Sequence, residues 1–343
     1  MSVAVERFAG PAAEWDAFVA ARPEATHCHL HAWKRVIEGV YGHDCPYLSA
    51  RDGEGRLTGV LPLADVRALG FGRFFVSLPY LNYGGPLGDA ESVRALAARA
   101  AAMASEARAD LLELRCAAPV DAGLARVDEK VTCVLDLPAG GADALWAAFP
   151  AKLRSQVRRP EKEGAEIRFG PGELDAFFAV FARNMRDLGT PTHPRAFFAA
   201  LLGELGERAW IGCVHLGGRP VAGGCAVRHG STVEMVWASS LREASAAAPN
   251  MLLYWAFLRR AAEEGLATFD FGRCTPGGGT HRFKRQWGAR DVPLPWYRAL
   301  RRPGAAAPAA DRGAYALGAR VWRRLPLAVA NLLGPSIRGA IPS

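Results

Sequence analysis

The sequence predicts an α/β protein built from two similar halves, each a mixed sheet flanked by helices. Three observations lead there: two strand–turn–strand signatures, two helix-then-strand segments at nearly the same spacing, and a composition suited to packed cores. The first signature is Tyr47-Leu-Ser-Ala-Arg-Asp-Gly-Glu-Gly-Arg-Leu-Thr-Gly-Val-Leu-Pro-Leu63, two apolar runs around a Gly-rich turn. The second is Trp210-Ile-Gly-Cys-Val-His-Leu-Gly-Gly-Arg-Pro-Val-Ala-Gly-Gly-Cys-Ala-Val227, with the same grammar. Ser92 to Ala107 has helical spacing and precedes an apolar strand, Asp110-Leu-Leu-Glu-Leu-Arg-Cys116. Asn250 to Glu264 does likewise, is stopped by Gly265, and precedes Ala267-Thr-Phe-Asp-Phe-Gly-Arg-Cys274. The turn arginines Arg56 and Arg219 lie 163 residues apart, and the two Arg-Cys pairs 158 apart. A repeat of that length is a duplicated α/β unit.

The chain has 343 residues, long enough for two ordinary domains. Pro138-Ala-Gly-Gly141 suits a linker. The expected organisation is a first domain over 1–140, a second over 141–300 carrying the main site, and a basic Arg/Ala/Pro-rich tail over 301–343. Half the residues are hydrophobic and 22% are charged, which excludes a disordered chain. Seven cysteines, none in a Cys-x-x-Cys pair, argue against a disulfide framework and for a reducing cytosol. The opening residues lack a basic stretch followed by an apolar core, so no signal peptide is expected. No apolar run reaches the roughly 20 residues of a spanning helix.

The net charge of +8 is concentrated. From Arg298 onward there are eight arginines and one acid, Asp311, so +7 of the +8 sits in the tail. The body is therefore not a basic nucleic-acid binder. Within the tail, Tyr315, Trp322, Leu325, Leu332 and Leu333 alternate with Arg320, Arg323 and Arg324. Pro303 to Ala310 reads as a loose linker before them. Two readings stay open: a helix lying on the inner, anionic face of a membrane, or a helix docked on the body with its arginines in water.

The densest chemistry lies in Phe269-Asp-Phe-Gly-Arg-Cys-Thr-Pro-Gly-Gly-Gly-Thr-His-Arg-Phe-Lys-Arg-Gln-Trp-Gly288. A strand ends near Gly272, a glycine loop follows, and Thr280 is placed to cap a short helix that Gly288 ends. Free N–H groups at that helix start, with Arg273, His281, Arg282 and Lys284 around them, can meet a phosphate or an oxyanion. A flexible surface turn is the plain alternative. A lysine-free spacing excludes a Walker loop, since Gly278 stands where its lysine belongs. The second basic element is Lys152-Leu-Arg-Ser-Gln-Val-Arg-Arg159. There Arg154 and Arg158 share a helical face, and Pro160 is expected to open the next turn rather than continue the helix. His27, His29 and His31, with nearby cysteines, lack the usual zinc spacing, so no metal is expected. They lead into a helix around Trp33 to Tyr41.

Hairpin, further strand, helix, strand is the order of a GNAT-like acyltransferase unit, although the usual acetyl-CoA pyrophosphate loop is not evident. The sequence resembles the Fem family of peptidyltransferases, tandem GNAT-like (acyl-CoA N-acyltransferase-like) enzymes. Lys152-Leu-Arg-Ser-Gln-Val-Arg-Arg-Pro-Glu-Lys-Glu-Gly164 resembles the family's Arg-x-x-x-Arg-Lys-Ala-Glu-Lys-x-Gly helix, with Pro160 in place of alanine. Phe283-Lys284 before Trp287-Gly288 resembles its Phe-Lys-x-x-Phe-Gly motif. Tyr80-Leu-Asn-Tyr-Gly-Gly-Pro-Leu-Gly-Asp89 resembles the Gly-Pro-x-x-Asp stretch of the acceptor site. The family's lysine four residues after a Trp is here Ile37. The nearest resemblance is to FemAB-like proteins of PEP-CTERM and exopolysaccharide export systems.

The resemblance implies an aminoacyl-tRNA donor, an amine acceptor on a lipid- or nucleotide-linked envelope precursor, and no resident cofactor. It implies that Lys284, with Phe283 beside it, faces the donor phosphate or the oxyanion. Arg154 and Arg158 would meet acceptor phosphates or the tRNA end, with Lys152 on the same helix. Tyr80, Tyr83 and Asp89 would position the acceptor, and Asp89 or His281 would take the amine proton. Two alternatives remain. One is an acyl-CoA- or carrier-dependent N-acyltransferase of exopolysaccharide biosynthesis. The other is a non-catalytic scaffold subunit of an envelope export system.

Overall fold

The computed structural model describes residues 3–68, 72–301 and 314–342. The expected linker Pro303 to Ala310 lies outside them. Two compact units divide the chain. Among the described residues the first takes 3–129, 293–301 and 336–342, and the second takes 130–292 and 314–335. No helix among the described residues is long and apolar enough to cross a membrane.

In the first unit, both expected elements form. Leu48–Arg51 and Leu57–Leu61 pair as the hairpin and sit in a four-stranded sheet with Ala4–Arg7 and Leu87–Gly88. A five-stranded sheet runs Ala64–Ala68, Gly72–Val76, Leu111–Arg115, Trp296–Leu300, Ala125–Val127. Gly72–Val76 and Leu111–Arg115 are parallel, and the helix Ala90–Glu106 makes the crossover. Asp89 starts that helix by accepting the Ser92 N–H at 2.8 Å. Val93, Leu96, Ala97, Ala100 and Ala104 recur on its buried face, and the small alanines let it lie close to the strands.

The second unit repeats the plan with longer strands. Its seven-stranded sheet runs Glu166–Phe169, Ala209–Leu216, Arg219–His229, Thr232–Ser240, Thr268–Cys274, Val131–Asp136, Arg290–Pro293. Thr232–Ser240 and Thr268–Cys274 are parallel, and the crossover is the helix Pro249–Glu263. Pro249 pre-sets the first turn of that helix, and Gly265 at φ 71° ends it. Leu253, Phe257, Leu258 and Ala261 are fully buried against the sheet. Phe257 reaches between Gly212 and Gly224, where a Cβ would come within 3.0 and 3.2 Å of its ring. Removing that ring would cost about 3–5 kcal/mol.

One local expectation fails. The helix Ala151–Lys162 runs through Pro160 instead of stopping before it. Pro160 sits in the final turn and is buried, and its carbonyl accepts the Ala165 N–H at 2.9 Å. A proline there removes one ladder donor in the last turn, and its ring is buried.

Candidate active site

The site in the second unit begins with a divergence of two parallel strands. Thr232, Val233 and Glu234 pair with Thr268, Phe269 and Asp270, and the pairing then stops. Both strands continue, one to Ser240 and the other to Cys274. Met235 to Ser240 keep their ladder with Arg219–His229 on the other side. Beyond Glu234 no pairing joins them to Thr268–Cys274. An irregularity between Asp270 and Arg273 bends the second strand away. Asp270, 4% exposed, holds that bend by accepting the Thr132 hydroxyl and the Gly272 N–H, the latter at 2.7 Å.

Lys284 stands at the bent edge. Its Nζ donates to the carbonyl oxygens of Gly272 at 2.7 Å and Arg273 at 3.0 Å. The side chain is buried, 3% exposed. Burial lowers its pKa below the ordinary lysine value, while Cys274, Asp270, Cys133 and Glu234 pull it back toward the charged form. An ammonium has three donors, and these carbonyls take two. Phe283 packs edge-on against Tyr254 at 4.9 Å, and Tyr254 stacks on Phe271 at 5.7 Å. Trp287, 1% exposed, closes the same aromatic wall.

The glycine loop does not behave as an open anion cradle. The Gly277 N–H donates to His281 Nδ1 at 3.1 Å, and the Gly278 N–H to the Thr275 carbonyl at 3.2 Å. The helix that follows spans only Gly279–Arg285 and is capped by Gly278, not by Thr280. The short loop closes on itself before any ligand is needed. His281 Nε2 faces the Asp291 carboxylate at 2.9 Å. With Nδ1 accepting from Gly277, the neutral ring carries its proton on Nε2 and donates to Asp291.

Cys133 and Cys274 bring their sulfurs to 3.4 Å, and Cys133 lies 3.7 Å from Asp291. Burial, with the facing Cys274, pushes the Cys133 thiol up to about 12. Cys133, His281 and Asp291 place one thiol, one imidazole and one carboxylate within 4.8 Å of one another. They are the residues of this site that could hold a cation. The tautomer set by Gly277 turns an N–H, not a lone pair, toward it.

The remaining basic candidates of this unit have local duties. One guanidinium nitrogen of Arg154 is bonded to the carbonyls of Ala147 and Phe149 at 3.2 and 2.8 Å, which satisfies the end of the helix Gly141–Ala148. Arg158 lies over the Trp146 ring at 5.2 Å. Lys152 is exposed on the same helix. Arg282 is exposed, and its guanidinium reaches the Gly277 carbonyl at 3.4 Å. Arg273 is half-buried on the bent strand.

Tyr80, Tyr83 and Asp89 belong to the first unit. Asp89 is the helix cap already described. Tyr80 and Tyr83 are both 6% exposed. Tyr80 holds φ 74° and Leu78 φ 56°, a strained backbone for large side chains. Arg115, 1% exposed, braces this loop by donating to the Leu81 carbonyl at 2.6 Å. The Tyr80 hydroxyl donates to the Gly339 carbonyl at 2.9 Å. The glycines of this motif serve close approach: a Cβ on Gly85 would meet Cys116 Sγ at 2.5 Å.

Asp270, Thr132, Cys133 and Asp291 were not singled out by sequence reasoning. Asp270 carries a signal, a lone acid in an otherwise apolar strand. Thr132, Cys133 and Asp291 carry none: long-range pairing sets Val131–Asp136 beside Thr268–Cys274, with Arg290–Pro293 as the next strand beyond it.

Comparison with known proteins agrees with this architecture. Residues 148–285 match the acetyltransferase (GNAT) domain family. No curated protein sequence matches the chain. Among solved structures, FemX is similar over 88% of this chain and 97% of its own, with TM-score 0.68 and 16% identity. The C-terminal domain of a putative lysylphosphatidylglycerol synthetase from Agrobacterium fabrum aligns over 85% of this chain and 91% of its own, with TM-score 0.57 and 13% identity. A tandem GNAT protein from the clavulanic acid biosynthesis pathway aligns over 89% and 100%, with TM-score 0.54 and 13% identity. The chain thus has the tandem GNAT-type acyltransferase fold that its duplicated hairpins announce.

Proposed function

We propose that the chain transfers an aminoacyl or acyl group from an activated ester to an amine on an envelope precursor, forming an amide. The observation that carries this reading is the divergence of Thr232–Ser240 from Thr268–Cys274 with the Lys284 ammonium at its edge. A strand edge released from its ladder offers backbone partners to an extended donor arm. An ester is already activated, so the protein has to orient it and stabilise the charge that develops. The amine nitrogen attacks the acyl carbon, and the carbonyl oxygen becomes an oxyanion. The third donor of Lys284 is the group we assign to that oxyanion. The acyl–oxygen bond then breaks, the leaving oxygen takes up a proton, and the nitrogen loses one.

Asp291, whose carboxylate accepts the His281 Nε2–H, is the base we assign in this unit, with His281 orienting it. Asp89 is a weaker candidate for that role, since its carboxylate already caps a helix. The acceptor we favour is a peptidoglycan-type precursor and the donor an aminoacyl-tRNA, by resemblance to the Fem family. The match of residues 148–285 to the acetyltransferase (GNAT) domain family favours a second donor, an acyl thioester, and with that donor we keep an exopolysaccharide amine as the alternative acceptor.

The test offers the purified chain a pool of charged tRNA or a pool of acyl-CoA, each with an envelope precursor extract. New amides are read by mass spectrometry. Product from charged tRNA supports the favoured donor, and product from acyl-CoA alone moves the reading to the thioester. Product from neither, with a Lys284→Ala chain that still supports its host, leaves the scaffold reading standing and ends both transferase readings.

A further inference from the structure

Six large hydrophobic side chains are exposed among the described residues: Leu188, Leu317, Val321, Val329, Leu332 and Leu333. All six lie in one part of the second unit. Leu188 ends the helix Leu174–Leu188, and the others lie on Ala314–Trp322 and on Leu327–Ala340 before Pro335. Both helices are anchored over 186–192. Arg186 donates to the Leu325 carbonyl at 2.9 Å, Arg323 donates to the Leu188 carbonyl, and a Cβ on Gly334 would touch Thr192 at 3.3 Å. Trp322, Ala330 and Gly334 face inward. The outward positions are therefore a chosen surface and not a frayed end.

That outward surface is unusual for a helix facing water. Leu332 is 77% exposed and Leu317 is 65% exposed. Val329, Leu332 and Leu333 share one face by their spacing, as do Leu317, Arg320 and Val321, and Arg324 follows in the turn after that helix. Arg320, Arg323 and Arg324 are exposed, and residues 314–342 contain no carboxylate. The acid beside the patch, Asp187, is tied to Arg186 at 2.6 Å. An apolar face with exposed arginines and no carboxylate on its own two helices fits a surface that is apolar inside and anionic outside. A second copy fits poorly, because a two-fold contact would set these arginines against themselves.

We infer that this face, Leu317, Val321, Val329, Leu332 and Leu333 with Arg320 and Arg324, docks the chain on an anionic lipid bilayer. The helices lie in the interface with the leucines among the acyl chains and the arginines at the headgroups. The inference rests on this surface alone and does not depend on which donor the transferase reading requires.

The experiment is co-sedimentation of the full chain with vesicles of phosphatidylglycerol in phosphatidylcholine, against vesicles of phosphatidylcholine alone. The expected result is at least about tenfold tighter binding to the anionic vesicles, weakening as salt rises. Leu332→Glu/Leu333→Glu and, separately, Arg320→Glu/Arg324→Glu should each reduce binding to background while keeping the parent melting temperature, since all four side chains are exposed. Equal binding to both vesicle types, or anionic binding that survives both variants, overturns the inference. So does vesicle-independent self-association that Leu332→Glu/Leu333→Glu abolishes, which would assign the face to a second copy.

Discussion

The Lys284 ammonium donates to the Gly272 carbonyl oxygen at 2.7 Å, and the Arg273 carbonyl shares it. These carbonyls belong to the strand that has just parted from its parallel neighbour. Lys284 thus gives both carbonyls a hydrogen-bond partner while keeping a positive charge on the diverging segment.

Lys284→Met should separate those two duties. It keeps the length and the burial but removes the donors. Two buried carbonyls then lose their partner, so urea unfolding should show a loss of about 1–3 kcal/mol. Amide formation should fall further than stability explains, by about a hundredfold or more in kcat. Unchanged kcat in a folded variant would remove Lys284 from the chemistry.

The pH dependence of Lys284 has a definite sign. Its folded pKa lies below the unfolded lysine value of ~10.4, so the folded chain binds fewer protons between the two. Stability contributed by this group therefore rises with pH through that window. Activity moves the other way, because the neutral amine cannot stabilise an oxyanion. A kcat profile should fall on an alkaline limb whose midpoint lies below the ordinary lysine value. A flat profile to that value would contradict the assignment.

Cys133 should be a poor nucleophile despite its contact with Cys274. Cys133 is pushed up to about 12 by burial and by Cys274, so almost none of it is thiolate at neutral pH. Iodoacetamide should leave Cys133 unmodified in the folded chain and alkylate it after denaturation, as read by peptide mass. Rapid native alkylation at Cys133 would place it in an open, electropositive setting instead.

In the first unit, Glu113 and Arg115 form a buried pair at 2.8 Å, and Arg298 adds a second contact to Glu113 at 2.7 Å. Burial would raise the Glu113 pKa, but the two guanidiniums outweigh it and hold the carboxyl below its usual range. The stability it contributes is complete above ~4.3 and is lost as pH falls through the lower folded value. Glu113→Gln should cost about 3–5 kcal/mol at neutral pH by stranding Arg115, and should flatten the acid limb of the stability curve. Retained parental stability at neutral pH would show the pair to be dispensable.

The duplicated α/β plan was legible because it is written in local patterns. Apolar runs around glycine-bearing turns make hairpins wherever they occur. Here the turns are Asp52-Gly-Glu-Gly55, between Arg51 and Leu57, and Gly217-Gly218, between Leu216 and Arg219. Helix spacing with a stop at Gly265 marks a crossover by the same local rule. The strand Phe269 to Cys274 could be picked out for the same reason, and Phe283-Lys284 through its resemblance to the Fem-family motif. The path of the helix through Pro160 could not, since the burial of its ring is set by neighbours in space.

Sequence alone determined the two halves, the crossover helices and a basic, glycine-rich segment worth suspecting. Only tertiary structure decided what that segment does. Sheet pairing across more than 130 residues brings Thr132 to Asp270 and Cys133 to Cys274. Packing of the helix Gly279–Arg285 against the strand Thr268–Cys274 aims Lys284 at two carbonyls. Likewise, which residues of the tail face inward was settled by docking on 186–192, leaving Leu332 and Leu333 outside. The reason is that backbone patterning acts through neighbours in sequence, whereas hydrogen-bond partners, burial and pKa depend on neighbours in space.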